Sequence, residues 1–214
     1  MGHIEQSMKS LRSSEASDGE LWNREWLTLE RLLRFSGYSI DSVKAAADVG
    51  CGSRELMAGA EGRGISYSGF DIEDGNLDHD PIPAASASVD LVIALALIEH
   101  LHNPDNFMRE AIRILKPGGF LYLSTPNWRY SSRSFYDNPA HVQPYSDASL
   151  AVLMSAYGFE NPQVFPGLRV RTKSAYFGPG RFARSAFRPF RGPGFPKFVT
   201  GRSTSIFGLA RKPL

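Results

Sequence analysis

The chain has 214 residues, a length that suits one domain with a single hydrophobic core. Its apolar and charged fractions, 42% and 21%, are ordinary for a globular protein and exclude disorder of the whole chain. The formal net charge is only +2, yet the segment from Arg169 to Arg202 holds nine Lys or Arg residues and no Asp or Glu. This asymmetry predicts an anionic partner for the C-terminal part, with a solvated surface loop as the alternative.

The single cysteine, Cys51, rules out an intrachain disulfide and fits a reducing compartment. Residues 1–18 contain no apolar signal core, and no run reaches the roughly 18 apolar residues expected of a membrane span. We therefore expect no transmembrane segment and a cytoplasmic location, and association with a membrane surface is kept as an alternative.

The first half of the chain predicts a polar, flexible N-terminal arm over residues 1–18 and then alternating helices and strands. Apolar residues at helical spacing indicate a helix from Gly19 to Phe35, with Asp18 as its N-cap and Gly37 after its end. The elements that follow are a strand at 45–49, a tight turn at 50–52, a helix at 54–60, a strand at 65–72 and a polar stretch at 73–88.

The second half continues the alternation. Its elements are an apolar central strand at 89–95, a helix beginning at Asn103-Pro104 and ended by 117–119, a strand at 120–126, a helix from an Asp147 cap to Tyr157, and two short strands near 163–165 and 205–210. A basic insert rich in Phe, Gly and Pro, at about 170–202, separates the last two strands. The pattern predicts one α/β domain over 19–214, with a doubly wound, mostly parallel sheet. We also expect the last strand to be antiparallel, which the alternation alone does not show.

Two features at predicted strand ends indicate a nucleoside site. Glycines at 50 and 52 let the backbone turn sharply and approach a ligand closely, although a plain strand-to-helix turn accounts for them equally well. Asp71 lies 19 residues after Gly52, at the end of the next strand, where an acid can accept hydrogen bonds from two ribose hydroxyls. A capping role is the alternative for Asp71. An NAD site is disfavoured, because Glu55 stands where the dinucleotide fingerprint requires its third glycine.

The order of the motifs resembles the class I S-adenosylmethionine-dependent methyltransferases, particularly their small-molecule type 11/12 branch, over about 45–159. The motifs are Asp-Val-Gly-Cys-Gly at 48–52, Gly-Phe-Asp-Ile at 69–72, Leu-Asp-x-x-Pro-Ile-Pro at 77–83, Val-Asp-Leu-Val-Ile at 89–93, Ile-Glu-His-Leu at 98–101, Arg-Ile-Leu-Lys-Pro-Gly-Gly at 113–119 and Ser-Thr-Pro-Asn at 124–127. The resemblance implies a Rossmann-like fold, methyltransferase activity and S-adenosylmethionine as cofactor.

The resemblance also implies a set of cofactor-binding residues. It places glycines against the amino-acid part of the cofactor, Asp71 on the ribose, and Asp78 with the Leu77 backbone beside the adenine. The full set is Asp48, Gly50, Cys51, Gly52, Asp71, Ile72, Leu77, Asp78, Leu95 and Ala96. The stretch after Asp71 is too short for the family's usual helix and full third strand, which leaves the choice between Asp78 and Asp80 open.

Two histidines are candidate general bases for a hydroxyl acceptor, since imidazole suits proton transfer near neutral pH. They are His100, just after a strand end, and His141, in a segment that resembles the family's acceptor border. A structural hydrogen bond is the alternative for each, and His79 and His102 are expected to face solvent. Some relatives bind a metal through Glu-x-x-Glu-His and a later histidine. Ala96 replaces the first Glu here, so we predict no metal and keep a metal site as the alternative.

The acceptor cannot be named from the sequence. Trp128, Tyr130 and Tyr136 are candidates to border it. The leading hypothesis is O-methylation of a small molecule or glycan precursor, and the alternatives are an RNA ribose 2′-O-methyltransferase and a non-catalytic cofactor-binding regulatory module. For the basic insert, the hypotheses are contact with an anionic membrane or lipid-linked glycan, RNA binding, which is less favoured, and a lid packed on its own domain.

Overall fold

The computed structural model describes residues 18–167 and 203–214, with side chains from residue 24 onward. Residues 1–17 of the predicted arm and the basic insert at 170–202 lie outside the described residues, and Asp18 is the first residue of a helix. The helices are α1 (Asp18–Phe35), α2 (Met57–Glu61), α3 (Pro104–Ile114), α4 (Trp128–Ser131) and α5 (Asp147–Ala156). The strands are β1 (Ala45–Val49), β2 (Ser66–Phe70), β3 (Val89–Leu95), β4 (Leu115–Pro126), β5 (Glu160–Pro166) and β6 (Ser205–Arg211).

The six strands form one sheet in the order β2-β1-β3-β4-β6-β5. The first four strands are parallel to one another, and β6 runs antiparallel to both β4 and β5. The predicted mostly parallel α/β sheet with an antiparallel last strand is therefore confirmed. In such a sheet the carboxyl ends of β1, β3 and β4 meet at one edge, which is where ligands of this architecture bind.

Both faces of the sheet are covered by apolar side chains, as a parallel sheet requires. Along β3, Val92 and Ala94 belong to a core on the side of α3 and α5, while Leu91 and Ile93 belong to a second core on the side of α1. Alternate residues of one strand thus supply two cores, which explains the continuous apolar run at 89–95. Of the helices in the described ranges, none is long and apolar enough to cross a bilayer.

The stretch between β2 and β3 contains no strand, so β2 lies at the edge of the sheet. Side chains of α3 hold this stretch instead of a strand ladder. Glu110 accepts from the backbone N–H of Ile82 at 2.8 Å, Arg113 donates to the Ile82 carbonyl at 2.9 Å, and Asn106 donates to the carbonyls of Leu77 and Asp80 at 3.0 and 2.7 Å. These bonds satisfy backbone groups that a third strand would otherwise pair.

Four predicted boundaries are wrong, three of them for a clear local reason. The helix expected from residue 54 begins at Met57, because Arg54 has φ +60° and cannot continue a right-handed helix. The 117–119 run does not end α3, which stops at Ile114. It lies inside β4, where the pairing with β3 shifts register and Gly118 has φ +77°.

The third wrong boundary concerns the cap of α5. Ser146, and not Asp147, is the N-cap. Its hydroxyl accepts from the backbone N–H of Ser149 at 3.1 Å, and the Ser149 hydroxyl accepts in return from the Ser146 N–H at 2.8 Å. This is a reciprocal capping box, formed with serine at the position where glutamate is more common. The predicted strand at 65–72 is also shorter than expected, because it ends at Phe70.

A glycine in α2 provides a test of the packing between α1 and α2. Trp26 is 1% exposed, and its Nε1 donates to the Leu56 carbonyl at 3.0 Å. A Cβ on Gly59 would lie 2.4 Å from Cδ1 of Trp26. Glycine to alanine inside a helix usually gains about 1 kcal/mol, but overpacking a core costs about 1–3 kcal/mol. We predict that Gly59→Ala lowers the free energy of unfolding, measured by urea denaturation.

Gly62→Ala is the matched control at the end of the same short helix. Gly62 has φ −60°, and the nearest atom to a Cβ there is the Ala58 carbonyl oxygen at 3.4 Å. We expect this variant to change the free energy of unfolding by less than about 0.5 kcal/mol. Equal stability of the two variants would contradict the packing argument.

Candidate active site

The turn after β1 is built from backbone conformations that favour glycine. Gly50 and Gly52 have φ +77° and +53°, in the left-handed region. A Cβ on Gly50 would lie 3.0 Å from Cδ1 of Leu97, so the turn and the loop after β3 approach each other closely. A Cβ on Gly52 would meet nothing within 4 Å. One side of the turn is therefore tightly packed, and the other is open to a ligand.

Asp71 joins this turn to the end of β2. Its Oδ2 accepts from the backbone N–H of Gly52 at 2.6 Å, and its Oδ1 accepts from the N–H of Ile72 at 2.7 Å. Asp71 is thus the N-cap of the 3-10 turn Ile72–Asp74, as the capping alternative expected. Each carboxylate oxygen can still accept a further hydrogen bond, so capping leaves room for ribose hydroxyls. Ile72, at 50% exposed, presents an apolar surface next to this carboxylate.

Asp48 is buried behind the glycine turn. It is 4% exposed, and its Oδ2 accepts from the Tyr67 hydroxyl at 2.6 Å. Burial raises the pKa of Asp48 to about 6, and the carboxylates of Asp71 and Glu55 act in the same direction, while the bond from Tyr67 acts in the opposite direction. Tyr67 is absent from the sequence-based site. Its contact with Asp48 depends on the register of β2 with β1, which the sequence alone does not show.

Cys51 is a packing residue in this structure. Burial, followed by the nearby negative charges of Asp48 and Asp71, raises the pKa of its thiol to about 11. A Cβ on Gly69 would lie 2.9 Å from its Sγ, so the thiol fills the space beside β2. A thiol in this environment is protonated and unreactive at neutral pH. The role of Cys51 in cofactor binding stays a prediction.

The two candidate adenine acids both hold the loop after β2. Asp78 accepts from the backbone N–H of Asn103 at 2.8 Å, and Asp80 accepts from that of Asn76 at 2.8 Å. Because Asn106 donates to the Leu77 carbonyl, Leu77 and Asp78 lie against the start of α3. Each acid accepts a hydrogen bond from one backbone N–H, so these bonds do not distinguish the two as the adenine contact. The choice of Asp78 stays a prediction.

The end of β3 and the loop after it carry Leu95 and Ala96, the last two residues of the expected cofactor-binding set. Leu95 ends β3, and Ala96 follows it with φ +50°, a conformation uncommon for alanine. The backbone N–H of Ala96 donates to the Ser124 carbonyl at 2.9 Å, which ties the ends of β3 and β4 together. Leu97 then packs on Gly50. Leu95 and Ala96 therefore lie at the same sheet edge as the glycine turn.

The two candidate bases come together although they are 41 residues apart. The rings of His100 and His141 have centroids 4.9 Å apart. Nδ1 of His100 lies 2.9 Å from the Ala140 carbonyl oxygen, and Nδ1 of His141 lies 2.6 Å from that of Phe135. A carbonyl only accepts, so each Nδ1 carries the proton and each Nε2 is an acceptor in the neutral ring. The structural hydrogen bonds thus set up the tautomer that a base requires.

Glu99 completes this group. Its side chain is 1% exposed, and its backbone carbonyl accepts from the N–H groups of Val142 and Gln143 at 2.8 and 3.0 Å. Ligand atoms of Glu99, His100 and His141 lie within 4.8 Å of one another. One carboxylate and two imidazoles that donate Nδ1–H to carbonyls form a donor set that suits a divalent metal with water in the remaining positions. Ala96 supplies no fourth ligand, and the absence of a metal stays a prediction.

An aromatic group extends from this cluster toward solvent. The rings of Phe135 and His141 are 4.6 Å apart, and Phe135 contacts Tyr136 at 5.0 Å and Trp128 at 5.6 Å. Tyr136 is 59% exposed. Tyr145, 4% exposed, has a hydroxyl without a hydrogen-bond partner in the described ranges. Buried hydroxyls usually have a partner, so this one marks a polar position on the same side of the site.

The remaining histidines with described side chains lie on the surface, as expected. The side chains of His79 and His102 are 67% and 57% exposed, near Asp80 and Asp78 respectively.

The cofactor half of the site fits S-adenosylmethionine by its donor set. Open space lies beside Gly52, a carboxylate with spare acceptor capacity stands at the end of β2, and an exposed apolar side chain, Ile72, adjoins it. These features match a polar amino-acid end, a ribose diol and a flat base in that order. Among the described residues, no atom lies within 4 Å of a Cβ placed on Gly52.

A family model described as a methyltransferase domain matches residues 23–164, more than half of the chain. The chain belongs to the class I S-adenosylmethionine-dependent methyltransferases. The predicted family and its cofactor are therefore confirmed. A similar relative is a probable S-adenosylmethionine-dependent methyltransferase of Mycolicibacterium smegmatis, 41% identical over 96 residues, which are 44% of this chain and 37% of that protein.

A second relative is a ubiquinone biosynthesis O-methyltransferase of Azoarcus, 28% identical over 112 residues, which are 43% of this chain and 48% of that protein. A solved S-adenosylmethionine-dependent methyltransferase of Archaeoglobus fulgidus has the same fold, with a TM-score of 0.58 and 20% identity over 87% of this chain and 93% of that one. The chain spans less than half the length of the two curated relatives it matches here.

The geometry at Asp71 yields a binding prediction. Asp71→Ala removes a carboxylate that holds the Gly52 N–H and faces the expected ribose position. Loss of such a hydrogen-bond partner costs about 1–3 kcal/mol, so S-adenosylhomocysteine should bind roughly 5- to 150-fold more weakly by calorimetric titration.

Asp41→Ala is the matched control. Asp41 is an exposed acid in the 3-10 turn Ile40–Ser42, which precedes β1 and so lies at the end of the strand opposite the glycine turn. Native affinity is expected for this variant. An affinity of Asp71→Ala within twofold of native would remove Asp71 from the cofactor site.

Proposed function

We propose that the protein transfers a methyl group from S-adenosylmethionine to an oxygen of a small-molecule acceptor. The observation that carries the proposal is the pair formed by His100 and His141, whose Nδ1 atoms are occupied by carbonyls so that each Nε2 is the basic nitrogen. The pair follows the loop whose Leu97 packs on the cofactor turn at Gly50. A base on this side of the site suits a hydroxyl acceptor, which must lose a proton during transfer.

The cofactor, when bound, supplies an electrophilic methyl group on a positively charged sulfur. The protein aligns the acceptor oxygen in line with that methyl and excludes water. Nε2 of His141 or His100 takes the hydroxyl proton, and the Nδ1–H bonds to Phe135 and Ala140 stabilise the ring that then carries the charge. The geometry supports both rings equally as the base.

The acceptor side favours a small molecule with a flat or apolar face. Support comes from the exposed ring of Tyr136 and the edge-to-face contact of Trp128 with Phe135, which lead from solvent to His141. The buried Tyr145 hydroxyl adds a polar contact. Similarity to a ubiquinone biosynthesis O-methyltransferase also favours oxygen as the methylated atom. The segment that suggested RNA or a membrane surface, 170–202, lies outside the described residues and adds no support.

The first test replaces each histidine with alanine. One of the two variants, His100→Ala or His141→Ala, removes the base. We expect that variant to lower turnover by about 100-fold or more, since a positioned base contributes about 10²–10⁴-fold. S-Adenosylhomocysteine should still bind with native affinity to both. The measurement is methyl transfer to a panel of hydroxylated acceptors that includes phenols and sugars. Cell extract, with and without nuclease treatment, is assayed in parallel to detect an RNA acceptor.

His79→Ala serves as the control, since its side chain lies on the surface. Full turnover by both histidine variants would remove the base from the mechanism. Acceptor activity that disappears after nuclease treatment would instead support the RNA methyltransferase, and binding of the cofactor without product from any acceptor would support the regulatory module.

The same assay separates a base from a metal. Dialysis against excess chelator should leave turnover unchanged if the histidines act as bases, because only one carboxylate accompanies them and Ala96 adds no hard ligand. Loss of turnover that returns with a divalent metal would assign Glu99, His100 and His141 as ligands.

Another prediction concerns Tyr136, the exposed ring on the acceptor side. Tyr136→Ala should raise the KM for the acceptor roughly 2- to 12-fold with little change in kcat, since an aromatic contact is worth about 0.5–1.5 kcal/mol. Tyr136→Phe keeps the ring and should keep the native KM. A native KM for the alanine variant would place the acceptor elsewhere.

A further inference from the structure

A buried acid with a hydroxyl donor lies behind the cofactor turn. Asp48 lies on the face of β1 that packs toward α1, and Tyr67 reaches it from the neighbouring edge strand with a hydrogen bond of 2.6 Å. Asp48 is 4% exposed. A buried carboxylate requires a counter-charge or several hydrogen bonds to remain ionised. The Tyr67 bond alone meets this need only in part.

The groups around Asp48 make ionisation harder. The charges that act on it are the carboxylates of Asp71 and Glu55, and both oppose a further negative charge. The guanidinium of Arg54 donates from Nη2 to the Gly69 carbonyl oxygen at 3.4 Å, and it lowers the pKa values of Cys51 and Tyr67 rather than that of Asp48. The titratable and charged groups that face the acid from its neighbouring elements are Tyr67 on β2, Asp71 after β2, Cys51 and Arg54 in the turn, and Glu55 before α2.

The family's cofactor brings the missing positive charge. S-Adenosylmethionine carries an α-ammonium group and a sulfonium, and its product S-adenosylhomocysteine keeps the ammonium. The turn at 50–52 is where the amino-acid end is expected, and its open side is at Gly52. A cation in this low-dielectric setting favours the ionised form of a nearby acid far more than it would in water.

We propose that Asp48 and Tyr67 form a proton-coupled positioning pair, in which entry of the cationic cofactor drives the Asp48 proton into solvent and Tyr67 holds the resulting carboxylate toward the turn. The proton leaves to the buffer, and the Tyr67 hydroxyl keeps its own proton throughout. The inference rests on the cofactor site of the proposed function and is independent of the acceptor and of methyl transfer.

The pH dependence follows from the direction of the pKa shift. Without cofactor, the pKa of Asp48 is raised to about 6, so the proton is present below that pH and must be displaced on binding. Affinity should therefore rise with pH up to about 6 and level off above it. The released proton should be measurable near pH 6 and absent near pH 8.

The experiment is calorimetric titration of the full chain with S-adenosylhomocysteine in pairs of buffers that differ in ionisation enthalpy. The native protein should release about half a proton per cofactor at about pH 6 and close to none at about pH 8, as expected for one group that titrates near 6. Asp48→Asn should release none at either pH and should lose the rise of affinity with pH.

Tyr67→Phe provides a second variant that keeps the acid. Because the Tyr67 bond lowers the pKa of Asp48, its loss should move the window of proton release to higher pH, so that release at about pH 7 exceeds that of the native protein. Tyr157→Phe is the matched control. It removes another tyrosine–aspartate hydrogen bond, to Asp105, on an exposed surface away from the turn, and should behave as native.

Thermal unfolding confirms that each variant is folded. Native proton release in Asp48→Asn, or a Tyr67→Phe profile equal to that of Tyr157→Phe, would overturn the proposal. Absence of S-adenosylhomocysteine binding by the folded native chain would overturn it together with the proposed function. A native chain that binds with proton release but methylates no acceptor would sustain this inference and refute only the methyl transfer.

Discussion

Three backbone N–H groups of the glycine turn are held by the end of β2. Those of Gly50 and Cys51 donate to the Phe70 carbonyl at 2.8 and 3.2 Å, and that of Gly52 donates to Asp71 at 2.6 Å. Donors that would otherwise need water or a ligand are thereby satisfied, and the turn is fixed before any cofactor arrives. Glycine at 50 and 52 permits the left-handed backbone of this arrangement without the steric cost that a Cβ would add.

No strand lies between β2 and β3 in the sequence, which makes the bonds from the glycine turn to Phe70 and Asp71 more important. β2 is the edge of the sheet and is paired on one side only, by β1. The loop that follows is anchored on α3, through Asn106, Glu110 and Arg113. The expected adenine side is thus held by helix side chains, while the ribose side is held by the strand. Asp71 lies at the junction of these two supports, where one carboxylate both caps a turn and holds the Gly52 N–H beside the expected ribose position.

The sequence predicts the strands well where both faces are buried, because a short, continuous apolar run such as 89–95 is typical of a central strand in a parallel sheet. It predicts His100 and His141 as separate candidates, and only the fold shows that Glu99 holds their two segments together through its backbone carbonyl. The later start of α2 could not be foreseen, since it follows from the left-handed backbone of Arg54. That conformation is set by the surrounding turn and not by the preference of arginine. Tyr67 was missed because a tyrosine on an edge strand is indistinguishable from an ordinary core residue until the register with β1 is known.

The cofactor and acceptor halves of the site are held by different bonds. The first depends on the contacts of β1 and β2, and the second on the bonds that join the turn Ile98–His100 to residues 135–143. They meet where Leu97 packs on Gly50. Effects of substitutions that share no partner are usually additive. Changes at His100 or His141 should therefore act on turnover and changes at Asp48 or Asp71 on cofactor affinity, whereas enlargement of Gly50 would disturb both halves because it displaces the side chain that joins them.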